Sequence, residues 1–202
     1  PLAGMFSDLF GRRNYFTISI IIFTIASAFC GLAHSLNEII FWRFVQGLGG
    51  GGLLTSAQTI IVGAYPPEKI SMANAIFGMG VMIGPTIGPT LGGWLTEDFS
   101  WHWIFLVNIP VGMLAAYLSW NYVHDRAGAV RPKKIDYGGI AFLVIGVSTL
   151  QYVLEEGAKD DWFNSPLIVA LSIISAVGLF LFVWWEWRVA HPAVNVRLVM
   201  EG

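Results

Sequence analysis

Arg43 is the first residue in this chain whose chemistry needs explaining. It stands at the edge of Phe44–Pro67, 24 residues without a charge. Counted from the turn around Leu36–Glu38 it lies roughly 7 Å into a helix. Snorkelling of its long stem to the interface would account for that depth. Gln46, Thr55, Ser56, Gln58 and Thr59, however, carry polar groups deeper along the same stretch. Ionisable side chains within a membrane helix mark functional sites by default. Gly47–Leu53 is dominated by glycine, which lets another backbone approach closely. The stretch reads as a helix facing a cavity, with Arg43 and Gln46 in its lining, where a fixed cation would lower the pKa of a nearby carboxylate.

Two further groups break the apolar pattern. Gly4–Arg13, GMFSDLFGRR, places Asp8 and Arg12 four residues apart, the spacing of neighbours on one helical face. Gly4 and Gly11 permit a tight bend. An ordinary solvated loop explains the segment about as well as a latch, in which Asp8, Arg12 and Arg13 engage a helix end in one conformation and release it in another. The other group is GVMIGPTIGPTLGG. Gly80, Gly84, Gly88 and Gly92 recur at every fourth residue, and each step rotates about 400°, so they wind slowly along one seam; Gly93 adds to it. Pro85 and Pro89 each delete a backbone donor, so the helix is expected to bend or loosen there. Two Gly-Pro pairs inside a glycine seam are poorly explained by packing alone.

Other chemistries find no footing. The single Cys30 excludes a disulfide framework or a cysteine-rich metal site. His34, His102, His124 and His191 fall at the ends of apolar runs, so no base lies in mid-membrane for a serine nucleophile. No histidine or carboxylate pair at i, i+4 occurs within a run, and neither a metal nor any other cofactor is expected. Catalysis is not expected. No basic run exceeds Lys133–Lys134, which speaks against nucleic acid as a partner.

The elements that must hold these residues follow from where charge is missing. Charged residues make up 12% of the 202, about half the usual share, and mean hydropathy is +0.65. Six charge-free runs, Asn14–Ala33, Phe44–Pro67, Ile70–Thr96, Trp103–Val123, Tyr137–Leu154 and Trp162–Trp185, hold 134 residues. A bilayer core takes about 20 apolar residues of helix, and backbone amides in lipid must be paired within the segment. The fold class is therefore all-α, a polytopic transmembrane bundle with about six helices. Arg12, Arg13, Lys69, Arg126, Arg131, Lys133, Lys134, Arg188 and Arg197 fall on one side and Lys159 alone on the other. The first side is thus cytoplasmic. Trp94, Trp101, Trp103 and Trp162 cluster at the outer ends, and Trp184, Trp185 and Trp187 at the inner end of the last span. Glu155 and Glu156 at an outer helix end read as solvated acids. Residues 1–3 read as the tail of a preceding helix and 4–123 as four spans of one bundle. A cytoplasmic linker, 124–136, leads to two additional spans, 137–189, and a cytoplasmic segment, 190–202. The chain is expected to be a piece of something longer.

These groups, in this order, resemble the major facilitator superfamily, and within it the fourteen-helix drug–proton antiporters of the EmrB/QacA type. GMFSDLFGRR is similar to the family's loop between its second and third helices, G-x-x-x-D-x-x-G-[RK]-[RK], with Leu9 where many members carry a base. RFVQGLGGG resembles its fourth-helix pattern R-x-x-Q-G. GPTIGPTLGGWL resembles the antiporter motif of the fifth helix, G-x-x-x-G-P-x-x-G-G. Trp101–Gly112 resembles the entry to the sixth helix, and KKIDYGG and LEEGAKDDWF resemble stretches around two extra central helices.

The resemblance implies a partial major facilitator fold covering family helices three to eight, in a multi-pass protein of the cytoplasmic membrane. It implies secondary active transport: proton-coupled efflux of small lipophilic or cationic compounds such as drugs, by alternating access. Substrate, protons and the bilayer would be the partners. In Gram-negative bacteria such transporters can also work with a periplasmic adaptor protein. The resemblance puts the latch at Gly4, Asp8, Gly11, Arg12 and Arg13, the cavity or coupling residues at Arg43 and Gln46, and the hinge and packing seam along Gly80–Gly93. The family's coupling acid would lie outside this chain. An exporter of lipids, siderophores or other metabolites is the alternative on the same fold. A non-transporting sensor or scaffold is the alternative from another class.

Overall fold

A computed structural model describes residues 2–125 and 136–189. The side chains of Leu2 and Asp8, most of the linker with Arg126, Arg131, Lys133 and Lys134, and the segment 190–202 with Arg197 lie outside the described residues. The helices are α1 (Leu2–Phe10), α2 (Arg12–Gly31), α3 (Leu36–Gly50), α4 (Leu53–Ala64), α5 (Pro67–Asp98), α6 (Trp103–Leu106), α7 (Asn108–Tyr122), α8 (Tyr137–Glu156) and α9 (Pro166–Arg188). A short 3₁₀ turn, Trp162–Asn164, precedes α9. The fold is all-α, and no strand occurs among the described residues.

Among the described residues, five stretches are long and apolar enough to cross a bilayer: Arg12–Gly31, Pro67–Asp98, Trp103–Tyr122, Tyr137–Glu156 and Pro166–Arg188. The sixth expected span, Phe44–Pro67, differs. It is divided between α3 and α4, because regular helix lapses at Gly51 and Gly52. Gly49–Gly52 is an unbroken run of the residue that lowers helix propensity most after proline. The helical path also starts earlier than the charge-free run suggests. Ser35 caps α3 by accepting the Glu38 N–H at 3.3 Å, and Glu38 Oε2 accepts the His34 N–H at 2.8 Å. This is a capping-box arrangement with the Glu38 carboxylate on the amide just before the cap, and it turns Leu36–Glu38 from loop into first turn.

Accepting the His34 N–H holds the exposed Glu38 carboxyl below its ordinary range. A carboxyl lowered by folding contributes stability above its unfolded pKa, and that contribution vanishes as pH falls through the folded value. Amide exchange at Glu38 and Ile39, corrected for intrinsic rates, should therefore accelerate once pH drops below about 4.3. Glu38→Gln should remove that dependence; identical pH profiles for the two proteins would show that the box contributes nothing.

The described residues form two compact units, one from Ala3 through Asp125 and one from Asp136 onward. In the first, α2 packs on both α3 and α7. Its buried positions are chiefly small or hydroxylated: Thr17, Ser19, Thr24, Ala26, Ser27, Cys30 and Gly31. Helices in lipid associate through close backbone approach and interhelical hydrogen bonds rather than through apolar burial, and both occur here. A Cβ on Gly49 would lie 2.8 Å from the Phe23 backbone nitrogen, and one on Gly112 would collide with the Thr24 hydroxyl. The Thr17 and Ser119 hydroxyls share a hydrogen bond of 2.7 Å. Ser27 donates to the Phe105 carbonyl at 2.9 Å and accepts from Asn108 Nδ2 at 3.1 Å.

The second unit is a hairpin. Gly146 and Gly178 meet at its crossing, where a Cβ on Gly178 would stand 3.1 Å from the Gly146 Cα. Ser175 donates to the Gly146 carbonyl at 2.9 Å. At the start of α8, Asp136 accepts from the Gly139 N–H at 3.0 Å and from the Trp185 indole at 2.9 Å, tying α8 to the end of α9.

Candidate functional site

Arg43 and Gln46 come together because i and i+3 share a helical face. Arg43 Nη1 donates to Gln46 Oε1 at 3.2 Å. Gln46 is buried at 4% exposure, whereas Arg43 is exposed. The guanidinium lies over the Phe105 ring, 5.6 Å from its centroid. The guanidinium is thus held by a neutral amide and an aromatic face, and among the described residues no carboxylate forms an ion pair with it. Phe105 was not legible as part of this site, since its place beside Arg43 depends on how α6 packs.

The GMFSDLFGRR segment is more ordered than a loop. Gly4 through Phe10 continue α1, with nothing within 4 Å of a Cβ at Gly4. The bend falls on Gly11 alone, at φ 86° and ψ 145°. This region is essentially reserved for glycine. Asp8 thus lies in α1 and Arg12 opens α2, on either side of the Gly11 bend. Arg12 reaches toward α4, where a Cβ on Gly63 would lie 2.7 Å from its Nη1. The Arg13 guanidinium stacks on Trp120, 4.1 Å from the ring centroid.

Between these elements opens a cleft of about 340 Å³, lined by Arg12, Ile60, Gly63, Ala64, Tyr122, Val123, His124 and Asp125. Asp125 accepts the Arg13 N–H at 3.0 Å. Neither Asp125 nor its neighbours carried a signal pointing to this segment, because 112 residues separate the bonded pair.

The Gly-Pro helix, α5, runs unbroken through Pro85 and Pro89. The carbonyls of Val81 and Pro85, four residues before each proline, lose their amide partners. Thr86 donates its hydroxyl to the Met82 carbonyl at 2.7 Å between them. Of the 32 residues in α5 only Ala73 and Leu95 are buried. A Cβ on Gly80, Gly84, Gly88, Gly92 or Gly93 would meet nothing within 4 Å. The seam is an open face of its unit, so it is not packed against α2, α3, α4 or α7.

In the second unit, Glu156 pairs with Lys159 at 2.8 Å and raises the pKa of that exposed lysine. Glu155 accepts from Gln151 at 2.9 Å. These contacts fit solvated acids. Among the described residues no cluster of three or more His, Cys, Asp or Glu could hold a metal.

The sequence pattern of the Major Facilitator Superfamily matches residues 1–187. Multidrug export protein EmrB of Haemophilus influenzae is 36% identical over 98% of this chain and 39% of its own length. Multidrug resistance protein 3 of Bacillus subtilis is 38% identical, over 96% and 38% respectively. Fatty acid resistance protein FarB of Neisseria gonorrhoeae is 35% identical, over 100% and 40%. The chain spans about two fifths of the length of the curated relatives it matches. Its long apolar helices and this kinship make it part of a multi-pass protein of the cytoplasmic membrane. The chain belongs to the major facilitator superfamily.

Proposed function

We propose that this chain forms part of a proton-coupled exporter, which moves small lipophilic or cationic compounds such as drugs out of the cytoplasm by alternating access. The observation carrying this reading is Arg43, a permanent cation bordering an apolar span and held at 3.2 Å by the buried Gln46. Such a group lowers the pKa of an approaching carboxylate and so can tie proton release to a change of conformation. Gly4, Asp8, Gly11, Arg12 and Arg13 form the cytoplasmic latch in this scheme. The open face of Gly80, Gly84, Gly88, Gly92 and Gly93, loosened by Pro85 and Pro89, lets a moving helix bundle approach the α5 backbone. The relatives named for multidrug export and resistance support the substrate class. A periplasmic adaptor belongs to this reading only in a Gram-negative cell.

The test is accumulation of a lipophilic cationic dye in efflux-deficient cells expressing the full-length protein, with and without a protonophore. Low accumulation that rises when the proton gradient collapses is the expected result. Dye levels unchanged by expression, with the protein present in the membrane, would reject it. The relative named for fatty acid resistance favours a second reading, export of a fatty acid or similar amphiphile. Protection against added long-chain fatty acids without dye efflux would identify that case.

A further inference from the structure

Gly11 leaves α2 without a side chain to cap it. The first amides of a helix have no intrahelical acceptor, and in α2 the Tyr15 N–H is the first to reach back, to the Gly11 carbonyl at 3.0 Å. The missing acceptor comes from the far end of the unit. Asp125, three residues past α7, takes the Arg13 N–H on Oδ1 at 3.0 Å. Its charge also faces the positive end of the helix dipole.

The same carboxylate explains why residue 11 is glycine. A Cβ there would stand 3.0 Å from both Asp125 oxygens, at a backbone angle that L side chains rarely adopt. The segment bearing Asp125 is itself fixed. His124 Nδ1 lies 2.9 Å from the Tyr122 carbonyl, and since a carbonyl only accepts, that nitrogen carries the proton. With α2 pinned at its start, Arg12 turns to Gly63 of α4 and Arg13 to Trp120 of α7.

We infer that Asp125 is a positioning residue for the cytoplasmic latch: by capping α2 from the end of α7, it sets Gly11 and aims Arg12 and Arg13. This rests on the latch reading above. It assigns Asp125 a role through acceptor geometry, not through an ion pair with either guanidinium.

The experiment uses the full-length protein with its cysteines replaced by serine and one new cysteine, Ala64→Cys, in the cleft beside Arg12. Two quantities are measured in membranes: the rate of labelling by an impermeant maleimide from the cytoplasmic side, and dye efflux per molecule inserted. Asp125→Ala should raise labelling about fivefold and lower efflux by a similar factor, whereas Asp125→Asn, an equally good cap, should restore both to within about twofold. Asp125→Glu, which keeps the charge but moves the carboxylate outward, should behave like Asp125→Ala and gives the same reading if the alanine variant fails to insert. Equal losses in Asp125→Asn and Asp125→Ala would overturn the capping role. Unchanged labelling in both Asp125→Ala and Asp125→Glu would overturn it too, leaving the latch intact if Arg12→Ala and Arg13→Ala still lose efflux. Faster labelling in Asp125→Ala with normal efflux in the arginine variants would uphold the positioning and reject the latch.

Discussion

Arg43→Ala should reduce gradient-dependent dye efflux at least about tenfold while leaving membrane insertion and yield unchanged. The separation follows from what Arg43 touches. Among the described residues it donates one hydrogen bond to Gln46 on its own helix and lies over the face of Phe105. The guanidinium is exposed within the unit, so its loss leaves no cavity and no buried charge unpaired. Gln46 would lose a donor at its amide oxygen, which costs about 1 kcal/mol and does not unfold a bundle. Arg43→Lys is the informative companion. It preserves the charge but not the planar donor set, so partial recovery of efflux would assign the role to charge, and none would assign it to the fork of donors. Normal efflux in Arg43→Ala would remove Arg43 from the mechanism.

Gly49→Leu should have the opposite profile, losing folded protein rather than coupling. A Cβ at Gly49 would approach the Phe23 nitrogen at 2.8 Å and the Ser19 carbonyl at 3.0 Å. Both are backbone atoms of α2, and neither can swing aside as a side-chain tip would. The helices must separate, giving up the close approach on which association in lipid depends. Overpacking of a well-packed site costs about 1–3 kcal/mol, and a backbone collision belongs at or above the top of that range. Thermal stability of the detergent-solubilised protein, followed by size-exclusion fluorescence, would register the loss. Gly84→Leu and Gly88→Leu are the controls, because the space around both is open. They should insert and fold normally yet impair efflux if a second bundle closes on α5. A Gly49→Leu protein as stable as its parent would mean that the α2–α3 crossing is looser than its geometry implies.

Whether a feature could be read from the sequence depended on how far its parts lie apart along the chain. Arg43 and Gln46 were legible as a pair because a helix fixes the relation of i to i+3. The membrane helices were legible because lipid forbids unpaired amides and charge alike. The division of Phe44–Pro67 was only half legible: its glycines announced close approach, which Gly49 makes, but not that the helix would lapse at Gly51–Gly52. The early start of α3 could have been read from Ser35 and Glu38, since a capping box has a sequence signature. Asp125 could not, because its bond to Arg13 spans 112 residues and exists only once α7 returns to the start of α2. The spacing of Gly80–Gly92 likewise places glycines on one seam without saying what approaches it.

The α8–α9 hairpin brings its own fastenings. Asp136 with Trp185, Ser175 with Gly146, and Gly146 against Gly178 are all drawn from one stretch of about fifty residues. A pair of helices that closes upon itself carries the contacts of its own crossing within one continuous segment. During synthesis it can also leave the translocon as a joined pair. Such a hairpin is a cassette, and its odd polar residues are best understood as the stitching that keeps the cassette shut.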